Sequence, residues 1–565
     1  MTLSRVINFL RVLWNKVSIL EKVIILLLLL FVFLELTNIS QMFYRGDYQI
    51  IPVEGGVITE GVLGRPNLIN PVFARSETDK TLSSLIFSGL VSYNEDREIV
   101  PCLAEKWEVS EDKKDYKFYL REDLKWHDGY PFNAEDVNYT IAVLQNPDYY
   151  ESLKYVWEGI VVEKNDEHTI SFHLSKPYPF FLENLTIGIL PHHLWVDIPV
   201  KDFKRSTLNI NAVGLGPYKI KELLKDSRGK ISSLVMEAND NFAIDDPLIK
   251  DFEIKFFDEK TELLEGFNSR EFSSFGMYSS EDPLISKKKR GYDNYSVNIP
   301  QYVALFFNQE RSTSLSDRAV RQALAYSLNK EAINNKATFG AGVIINSPIL
   351  PNYLGYNSEI KKYDHDIVGA NTILSQAGWI DQDNDDIREK EENELSFDLV
   401  VPDEGQFIRV AEELSDQWEE IGVKLNVIKS EGGDLEENYI SNRDYDILLI
   451  GENLGSDPDP YSYWHSSQKE YPGLNLSLYE NGEVDKLLEE ARQSNDSNLR
   501  IKNYKKFQEI IADEIPSIFL YQPVYIYKIY DKVKEIDLSN ITNTWDRFYN
   551  IYNWFVKFER VKDAN

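Results

Sequence analysis

The fold of this chain is decided by the stretch Ser88–Thr140, which reads SGLVSYNEDREIVPCLAEKWEVSEDKKDYKFYLREDLKWHDGYPFNAEDVNYT. Every second residue from Tyr116 to Leu120 is apolar or aromatic, which is the period of a half-buried strand. The dipeptide Asp128-Gly129 that follows is a strong turn signal. The pattern therefore predicts a hairpin.

A helix is predicted directly after this hairpin. Asn133 can cap its first turn, and Asp136, three residues later, can reach back as in a capping box. Ile141 and Leu144 continue an apolar face. Turn, cap and core roles account for these residues, so we expect them to shape a lobe and not to contact a ligand.

Five pieces of the stretch occur in an order that resembles one known family. They are LVSYN (90–94), PCLAEKWEVS (101–110), YKFYLR (116–121), WHDG (126–129) and AEDV (134–137). The ordered set resembles the extracellular solute-binding proteins, family 5, of ABC transporters, which are the dipeptide- and oligopeptide-binding type. The resemblance implies an α/β fold with two hinged lobes, of the periplasmic-binding-protein type II kind, in the large peptide-binding class with an extra subdomain.

The resemblance also implies a division of the chain. GVLGRPNLINP (61–71) resembles the family's first strand and the following loop, and VGLGPYKI (213–220) resembles a glycine-rich return to the first lobe, where glycine permits close backbone approach. Two crossings between lobes imply a hinge. The expected parts are a basic cytoplasmic segment with a transmembrane signal anchor (1–45), lobe I (46–84, 213–300 and 522–565), an accessory subdomain (85–212) and lobe II (301–521).

Periodicity predicts the internal order of lobe II. The strand at 302–308 precedes a helix that Ser316 or Asp317 can cap. Further on, a strand at 395–401, an amphipathic helix ended by Gly422, and a strand at 423–427 follow one another. A strand, helix, strand unit of this kind predicts parallel pairing.

Composition excludes one class of partner. The chain has 565 residues, 43% of them hydrophobic, and a formal net charge of -31 from 92 acidic and 61 basic residues. This length predicts roughly three to four domain-sized units. A strongly acidic surface disfavours nucleic acid, whose binding relies on clustered Lys and Arg. The lone Cys102 excludes an intrachain disulfide and is expected to be a small buried hydrophobe.

The N-terminus contains the apolar run VIILLLLLFVFL (23–34), preceded by basic residues and followed by further apolar residues up to Tyr44. No small-x-small cleavage signal follows the run, so an uncleaved signal anchor is favoured over a cleaved signal peptide. The basic flank places the N-terminus in the cytoplasm and the chain from about residue 45 outside. We therefore expect a single-pass membrane protein with its large domain on the extracytoplasmic side.

Sequence signatures of catalysis and cofactor binding are absent. The chain lacks G-x-S-x-G, H-E-x-x-H, G-x-x-x-x-G-K-[ST] and G-x-G-x-x-G motifs, so we expect neither an enzyme nor a cofactor. The adjacent pair His192-His193 points in two directions on any regular element, which disfavours a shared metal. Asp381, Asp383 and Asp385 follow calcium-loop spacing, but Asp386 replaces the required glycine. A solvated turn and a weak calcium site are both open interpretations.

Ligand contact is predicted near DILLIGENLGSDPDPYSYW (446–464), where a buried-looking strand runs into a loop whose prolines fix the backbone. In the resembling family this strand end and loop meet the ligand. The predicted ligand-binding residues are Gly451, Glu452, Asn453, Asp457, Asp459, Tyr461, Trp464, Tyr302 and Asn308. Structural roles also fit two of them, since Asp459 can cap the following turn and Trp464 can be core.

The chain departs from peptide-binding relatives inside this segment. Some relatives use an aspartate before the acidic-residue-Pro step to hold the peptide's ammonium group. Aligning Asp457-Pro458 with that step puts Leu454 at the aspartate's position. The departure weakens a dipeptide assignment and leaves longer peptides, or another ligand, open.

The resemblance implies a membrane-anchored, extracytoplasmic binding protein that captures peptides between two lobes and delivers them to an ABC transporter permease with its ATPase subunits. Related proteins bind metal complexes, haem or oligosaccharides, so a different small solute is the main alternative. An anchored hydrolase that uses acidic residues is the alternative from another class. We also expect Asp459→Ala to weaken ligand binding with little loss of stability in the empty protein.

Overall fold

The computed structural model describes residues 18–44, 48–149, 151, 153–178, 181–285, 287–455, 459–494 and 496–562. The chain separates into two compact units. One comprises residues 1–54 and 555–565, and the other comprises residues 55–554. Each unit is described by itself.

Over its described residues, the smaller unit contains one helix and one pair of strands. Helix α1 spans Ile19–Tyr44, and strand β1 (Tyr48–Val53) pairs antiparallel with β23 (Lys557–Lys562). Within the described ranges, the chain contains no helix with both the length and the apolar character needed to cross a membrane. The predicted transmembrane anchor at residues 1–45 is therefore not supported by the structure.

The first lobe of the larger unit is built on a seven-stranded mixed sheet. Its middle strand pairs parallel with both neighbours, and the outer strands pair antiparallel. In spatial order the strands are β13 (Tyr292–Asn298), β22 (Val524–Tyr530), β12 (Ser274–Tyr278), β2 (Val57–Leu63), β11 (Asp251–Phe257), β10 (Ile231–Ala238) and β9 (Tyr218–Lys225). We call this part lobe I.

The second lobe, lobe II, is built on a six-stranded sheet with helices packed against it. A small hairpin pairs β16 (Glu389–Lys390) with β17 (Asn393–Glu394) and directly precedes one strand of this sheet, β18, along the chain. In spatial order the main strands are β15 (Val343–Ile344), β21 (Ser517–Gln522), β14 (Gln301–Phe307), β20 (Ile447–Asn453), β18 (Ser396–Pro402) and β19 (Lys424–Ser430). The two-lobe α/β architecture expected from the sequence is confirmed.

An accessory subdomain carries the stretch that opened the sequence analysis. A short hairpin pairs β3 (Val91–Tyr93) with β4 (Ile99–Pro101). The spatial order of its four-stranded antiparallel sheet is β5 (Ala104–Val109), β6 (Asp115–Leu120), β8 (Thr169–His173) and β7 (Val161–Lys164). The predicted strand, β6, buries alternate residues as expected.

Helices connect and cover the sheets, and several short 3-10 turns complete the chain. The remaining helices are α2 (Glu77–Ile86), α3 (Ala134–Leu144), α4 (Leu153–Trp157), α5 (Phe181–Asn184), α6 (His192–Trp195), α7 (Lys260–Ser269), α8 (Thr313–Ser316), α9 (Arg318–Tyr326), α10 (Lys330–Thr338), α11 (Ile367–Gln376), α12 (Gly405–Glu419), α13 (Gly432–Asp434), α14 (Tyr461–Trp464), α15 (Gly482–Gln493) and α16 (Ser497–Glu514).

Local predictions about helix starts are confirmed. Asn133 and Asp136 form a reciprocal capping box at the start of α3. The backbone N–H of Asn133 donates to Oδ2 of Asp136 at 3.0 Å, and Oδ1 of Asn133 accepts from the backbone N–H of Glu135 at 2.8 Å. Asp317 caps α9 by accepting from the backbone N–H of Ala319 at 2.9 Å. These caps satisfy amide groups that would otherwise lack partners at a helix N-terminus.

The strand, helix, strand unit of lobe II is also confirmed. Strands β18 and β19 pair in parallel along their whole length, and α12 connects them. Gly422 ends the connection with φ +75°, a conformation that suits glycine because it has no Cβ. The glycines at 214 and 216 meet the other expectation, since a Cβ at Gly214 would lie 1.9 Å from the carbonyl oxygen of Ile86.

Two short crossings join the lobes. The first passes from β13 to β14 through Ile299 and Pro300, and the second passes from β21 to β22 through Pro523. The crossings lie side by side, because Gln522 Nε2 donates a hydrogen bond to the carbonyl oxygen of Ile299 at 2.8 Å. Any movement of one lobe against the other must act through these few residues.

Candidate functional site

The end of β20 lies beside the first crossing. Asn453, its last residue, pairs with Gln301 at the start of β14. The backbone N–H of Leu454 then donates to the carbonyl oxygen of Pro300 at 2.7 Å. The segment predicted to contact ligand therefore begins where the two lobes join.

One edge of β20 is unpaired over its second half. On one side, β14 pairs with the whole strand from Ile447 to Asn453. On the other side, β18 pairs only with Ile447 and Leu448. In the part of the chain that the structure describes, residues 449–453 therefore lack a strand neighbour on that side. The carbonyl oxygen of Asn453 accepts from the hydroxyl of Tyr463 at 2.7 Å, and the other outward N–H and C=O groups form an edge that can accept another strand.

Glu452 and Tyr302 form a buried cross-strand pair. The hydroxyl of Tyr302 donates to Oε2 of Glu452 at 2.5 Å, and both side chains are buried. Burial raises the pKa of Glu452 to about 8, although the Tyr302 hydrogen bond and the charge of Arg443 oppose the shift. Oε1 of Glu452 has no partner among the described residues. Burial thus favours the protonated, neutral form of this carboxyl group.

Asp459 lies two residues before α14 and is already engaged within lobe II. Its Oδ1 accepts from the backbone N–H of Tyr461 at 3.2 Å, and its Oδ2 lies 3.4 Å from Nε of Arg492. The guanidinium of Arg492 also lies 4.4 Å from the ring centroid of Tyr461. Asp459, Tyr461 and Arg492 therefore form one cluster.

Two other predicted site residues lie elsewhere, and a third is outside the described part of the chain. Trp464 is only 1% exposed and packs against Phe306, Phe507 and Phe519 in the lobe II core. Asn308 is buried at the opposite end of β14, where its Nδ2 donates to the carbonyl oxygen of Arg443 at 3.0 Å. Asp457 lies outside the described residues. Gly451, Glu452, Asn453, Asp459 and Tyr461 are the predicted residues that the chain brings to one end of β20.

Lobe II contacts the rest of its unit at two points beside this strand end. Nδ2 of Asn453 donates to Oδ1 of Asn543 at 3.0 Å. The guanidinium of Arg492 lies 5.6 Å from the ring centroid of Tyr178, which precedes α5 in the accessory subdomain. Burial raises the pKa of Tyr178, and the charges of Asp459 and Glu183 raise it further against the opposing charge of Arg492.

A cavity of about 470 Å³ lies between the accessory subdomain and the 3-10 segments at 544–548 and 551–553. This volume is in the range of small-molecule sites. Glu183 and Asp546 are among its lining residues. Asp546 adjoins the contact at Asn543, because its Oδ2 accepts from the backbone N–H of Asn543 at 3.0 Å. Glu183 adjoins the contact at Tyr178, because its charge acts on the Tyr178 hydroxyl. The cavity and the end of β20 are therefore neighbouring parts of one region.

Sequence reasoning missed this cavity. Its polar lining includes Lys80, Ser92, Arg97 and Asn184, together with Trp545. These residues carry no motif, and Arg97 and Asp546 are 449 positions apart. No local signal in the sequence could have grouped them, because the grouping depends on how the C-terminal segment returns to α2 and to the hairpin β3–β4.

The other candidate sites behave as ordinary structural features. Burial raises the pKa of the Cys102 thiol to about 12, as expected for a small buried hydrophobe. Ligand atoms of Asp381, Asp383 and Asp385 lie within 4.8 Å of one another, but all three residues are exposed. Asp381 also accepts from the backbone N–H groups of Asn384 and Asp386, which fits the solvated turn among the two interpretations.

A family comparison agrees with this arrangement of lobes. Residues 98–473 match the model of the bacterial extracellular solute-binding proteins, family 5 Middle. That match covers more than half of the chain. The chain belongs to this family.

Curated relatives match over nearly the whole chain. The oligopeptide-binding protein AppA of Bacillus subtilis is 27% identical over 521 residues, which cover 87% of this chain and 92% of that protein. The dipeptide-binding protein of Escherichia coli is 27% identical over 500 residues, which cover 83% of this chain and 90% of that protein. This family member is thus similar to both proteins over most of its length.

Solved structures show the same fold. The structure of AppA from Bacillus subtilis in complex with a nonapeptide has a TM-score of 0.75 and 25% identity, and covers 90% of this chain and all of that one. NikZ from Campylobacter jejuni in complex with Ni(L-His) has a TM-score of 0.72 and 27% identity, with 88% and 99% covered. Similar proteins therefore hold ligands of different chemistry on one scaffold.

Proposed function

We propose that this chain captures peptides between its two lobes and delivers them to the permease of an ABC transporter, which cytoplasmic ATPase subunits drive. The observation that carries the proposal is the unpaired edge of β20 at residues 449–453, beside the crossings between the lobes. An extended peptide can add to such an edge as an extra strand, with main-chain hydrogen bonds that are independent of its side chains.

A similar protein supports the choice of peptide. The relative with the nonapeptide shares the fold over most of this chain, and the edge of β20 offers backbone groups that suit a peptide better than a sugar or a compact metal complex. In this proposal Gly451, Asn453, Asp459 and Tyr461 contact the ligand. The burial of Tyr302, Asn308 and Trp464 favours structural roles for those three residues.

Delivery requires the protein to signal that it is loaded. A peptide on β20 that also contacts lobe I stabilises the closed arrangement through contacts that the open one lacks. The short crossings at Ile299–Pro300 and Pro523 are suited to a hinge because few backbone torsions need to change. As part of the proposal we retain the domain boundaries expected from the sequence, with lobe changes at 300/301 and 521/522.

Tethering to a membrane is the part of the proposal that rests on the sequence. It rests on the apolar run at residues 23–34 and on the basic residues that precede it. Alkaline carbonate extraction of membranes from cells that express the whole chain tests it. Retention in the membrane pellet supports an anchor, and release into the supernatant overturns it.

Alternate N-methylation of a bound peptide tests strand addition. Only every second N–H of an added strand faces the edge of β20. Isothermal titration of the whole chain with a peptide methylated at residues 2 and 4, and with its isomer methylated at residues 3 and 5, should give affinities that differ by about tenfold or more. Equal losses in both isomers would contradict pairing with β20.

A mixed-solute experiment tests the ligand class. Native mass spectrometry of the whole chain, incubated with peptides, oligosaccharides, haem and a nickel–histidine complex, should show retained peptides of unchanged mass. Retention of another solute alone would replace the peptide assignment. Cleaved peptides would contradict the proposal that the chain binds its ligand without covalent chemistry.

A further inference from the structure

Arg492, in the last turn of α15, carries a guanidinium that lobe II holds in a fixed place. Its Nε lies 3.4 Å from Oδ2 of Asp459, and its Cζ lies 4.4 Å from the ring centroid of Tyr461. The neighbouring Ala491 is fully buried in the core of lobe II, so the backbone of this turn is anchored as well. Both side-chain partners of Arg492 belong to lobe II, and this arrangement therefore does not depend on closure of the lobes.

Tyr178 approaches the same guanidinium from the accessory subdomain. Its ring centroid lies 5.6 Å from Cζ of Arg492, which is within the distance at which a cation is attracted to the face of an aromatic ring. Burial raises the pKa of Tyr178, the charge of Arg492 lowers it, and the charges of Asp459 and Glu183 raise it again. The guanidinium is thus within reach of two aromatic rings, one from lobe II and one from the accessory subdomain.

Tyr178 is firmly placed on its own subdomain. Its carbonyl oxygen accepts from the backbone N–H of Phe181 at 3.1 Å. Phe181 is fully buried, and its ring centroid lies 4.7 Å from that of Tyr116 and 5.5 Å from that of Phe172. Two preformed surfaces therefore meet at this contact, and neither has to be built when they meet.

The contact of Arg492 with Tyr178 is formed through space and not through the chain connections between the lobes. The crossings join β13 to β14 and β21 to β22, so both leave from the sheet of lobe I and neither enters the accessory subdomain. A rotation of lobe II about the crossings changes the distance between Arg492 and Tyr178. The contact therefore belongs to the closed arrangement of the lobes.

A second arginine of lobe II provides a contrast. Nη2 of Arg409, on α12, donates to the carbonyl oxygen of Ser280 in lobe I at 2.8 Å. That acceptor lies beside the second crossing, because the backbone N–H of Ser279 donates to the carbonyl oxygen of Val524 at 2.7 Å. A contact at the hinge changes little when the lobes rotate, so Arg409 is a weaker candidate for a residue that distinguishes closed from open.

We propose that Arg492 is a positioning residue for lobe closure, which holds lobe II against the accessory subdomain by binding Tyr178 while it stays paired with Asp459. The proposal deepens the proposed function and rests on it, because delivery requires closure on the ligand. Asp459 and Tyr461 are also among the proposed ligand contacts, so capture and closure share two side chains. A ligand that packs against them shifts the closed population through the same contacts.

The distance between two spin labels reports closure in the whole chain. Val161 on β7 and Val368 on α11 are 62% and 77% exposed, so cysteines at these positions can carry labels without disturbing a core. The native Cys102 does not compete for the label, because it is buried and the pKa of its thiol is raised to about 12. Pulsed electron spin resonance then gives the ratio of closed to open molecules.

Arg492→Met keeps much of the apolar packing of the side chain and removes its charge. The closed-to-open ratio should fall by about threefold to tenfold, as expected for a partly desolvated contact between a cation and a ring. Arg500→Met is the matched control, because Cζ of Arg500 also lies 5.6 Å from a tyrosine ring, that of Tyr504, but both residues lie on α16 within lobe II. An unchanged ratio in Arg492→Met overturns the proposal.

Tyr178→Ala tests the contact from the other side and leaves lobe II intact. It should lower the ratio by the same factor as Arg492→Met, and the double variant should lower it no further. Tyr178→Phe keeps the ring, so its ratio should stay within about twofold of the parent value. Additive losses in the double variant overturn the proposal, because they would show that Arg492 acts on closure without Tyr178.

The labels report closure whether or not a peptide binds, so this proposal and peptide capture fail separately. A lower ratio in Arg492→Met, with no peptide retained in native mass spectra, contradicts peptide capture and supports the positioning role. Retained peptide with an unchanged ratio contradicts the positioning role alone. A purely structural role would lower the melting temperatures of Arg492→Met and Arg500→Met alike and leave both ratios unchanged, which also overturns the proposal.

Discussion

The end of β20 and the cavity wall lie side by side but differ in how their polar groups are satisfied. At the strand end, Tyr302 donates to Glu452, and Asp459 is bonded to its own helix and to Arg492. Among the described residues that line the cavity, Nε of Arg97, Oγ of Ser92 and Nδ2 of Asn184 are buried without hydrogen-bond partners. Side chains at the strand end chiefly hold lobe II together, whereas several polar atoms of the cavity lining are unsatisfied.

This difference separates two kinds of recognition. The strand end offers backbone groups at residues 449–453, which treat all peptide sequences alike. The cavity lining instead offers charged side chains of both signs, Lys80, Arg97, Glu183 and Asp546, at fixed places. Substitutions of the buried side chains near the strand end should change stability more than ligand selectivity.

The largest expected effect is that of Trp464→Ala. Removing this buried ring leaves a cavity among Phe306, Phe507 and Phe519, and should lower the free energy of unfolding by about 3 to 5 kcal/mol. Denaturant titration followed by far-ultraviolet circular dichroism measures it. Tyr461→Ala, on the same short helix but only half-buried, should cost clearly less. A large affinity loss with unchanged stability would instead make Trp464 a ligand contact.

Glu452→Gln should give the next largest effect, and one that depends on pH. Burial raises the pKa of Glu452 from 4.5 to about 8 in the folded protein, so between these values the folded state binds a proton that the unfolded state has lost. The contribution of Glu452 to the free energy of unfolding of the parent protein therefore falls as pH rises from about 4.5 to 8.

The neutral amide removes that dependence. Melting curves at pH 5, 6.5 and 8 should show the variant gaining on the parent by on the order of 2 to 4 kcal/mol across the range. Glu412→Gln at an exposed position on α12 provides the control. A stability difference that does not change with pH would mean that the carboxyl group is ionised in the folded protein.

Asp459→Ala should cost on the order of 1 kcal/mol of stability. The sequence predicted almost no cost, but the carboxylate accepts from the N–H of Tyr461 and pairs with Arg492. Asp459→Asn keeps the hydrogen bond and loses the charge, so it should recover part of the loss. Thermal melting of the empty protein measures this loss. Equal melting temperatures for Asp459→Ala and the parent would contradict a structural role and support the sequence-based expectation of almost no cost.

The smallest expected effect is that of the contact between Asn453 and Asn543. Their hydrogen bond of 3.0 Å joins lobe II to the C-terminal part of lobe I, and one such bond contributes about 0.5 to 1.5 kcal/mol. Single and double alanine variants should therefore weaken peptide affinity by less than about tenfold and should not be additive. Additive losses in titration calorimetry would show that the two residues act independently.

Much of the fold could be predicted because its signals are local or periodic. The capping box of Asn133 and Asp136 lies within four residues, and the parallel pair β18 and β19 follows from two apolar runs around one amphipathic helix. The requirement for glycine at 214 was also visible, although its cause, the carbonyl oxygen of Ile86, was not. Backbone geometry over short distances constrains such features strongly.

The candidate site could be predicted only in part. Residue types at 451–461 indicated a ligand-facing segment, but which side chains turn inward depends on the pairing with β14, which buries Glu452 beside Tyr302. Trp464 and Asn308 have residue types that suit a cleft, yet both are buried by packing. Burial is a property of the assembled lobe and not of the residue.

By itself, the amino-acid sequence determined the family, the α/β class, the helix caps and the strand that ends at the lobe boundary. The tertiary structure alone decided that residues 449–453 keep an unpaired edge and that Lys80 and Arg97 face one cavity with Trp545 and Asp546. The physical reason is distance along the chain. Caps and periodic faces depend on residues a few positions apart. Whether a buried donor or a strand edge finds a partner depends on all the groups that folding brings near it.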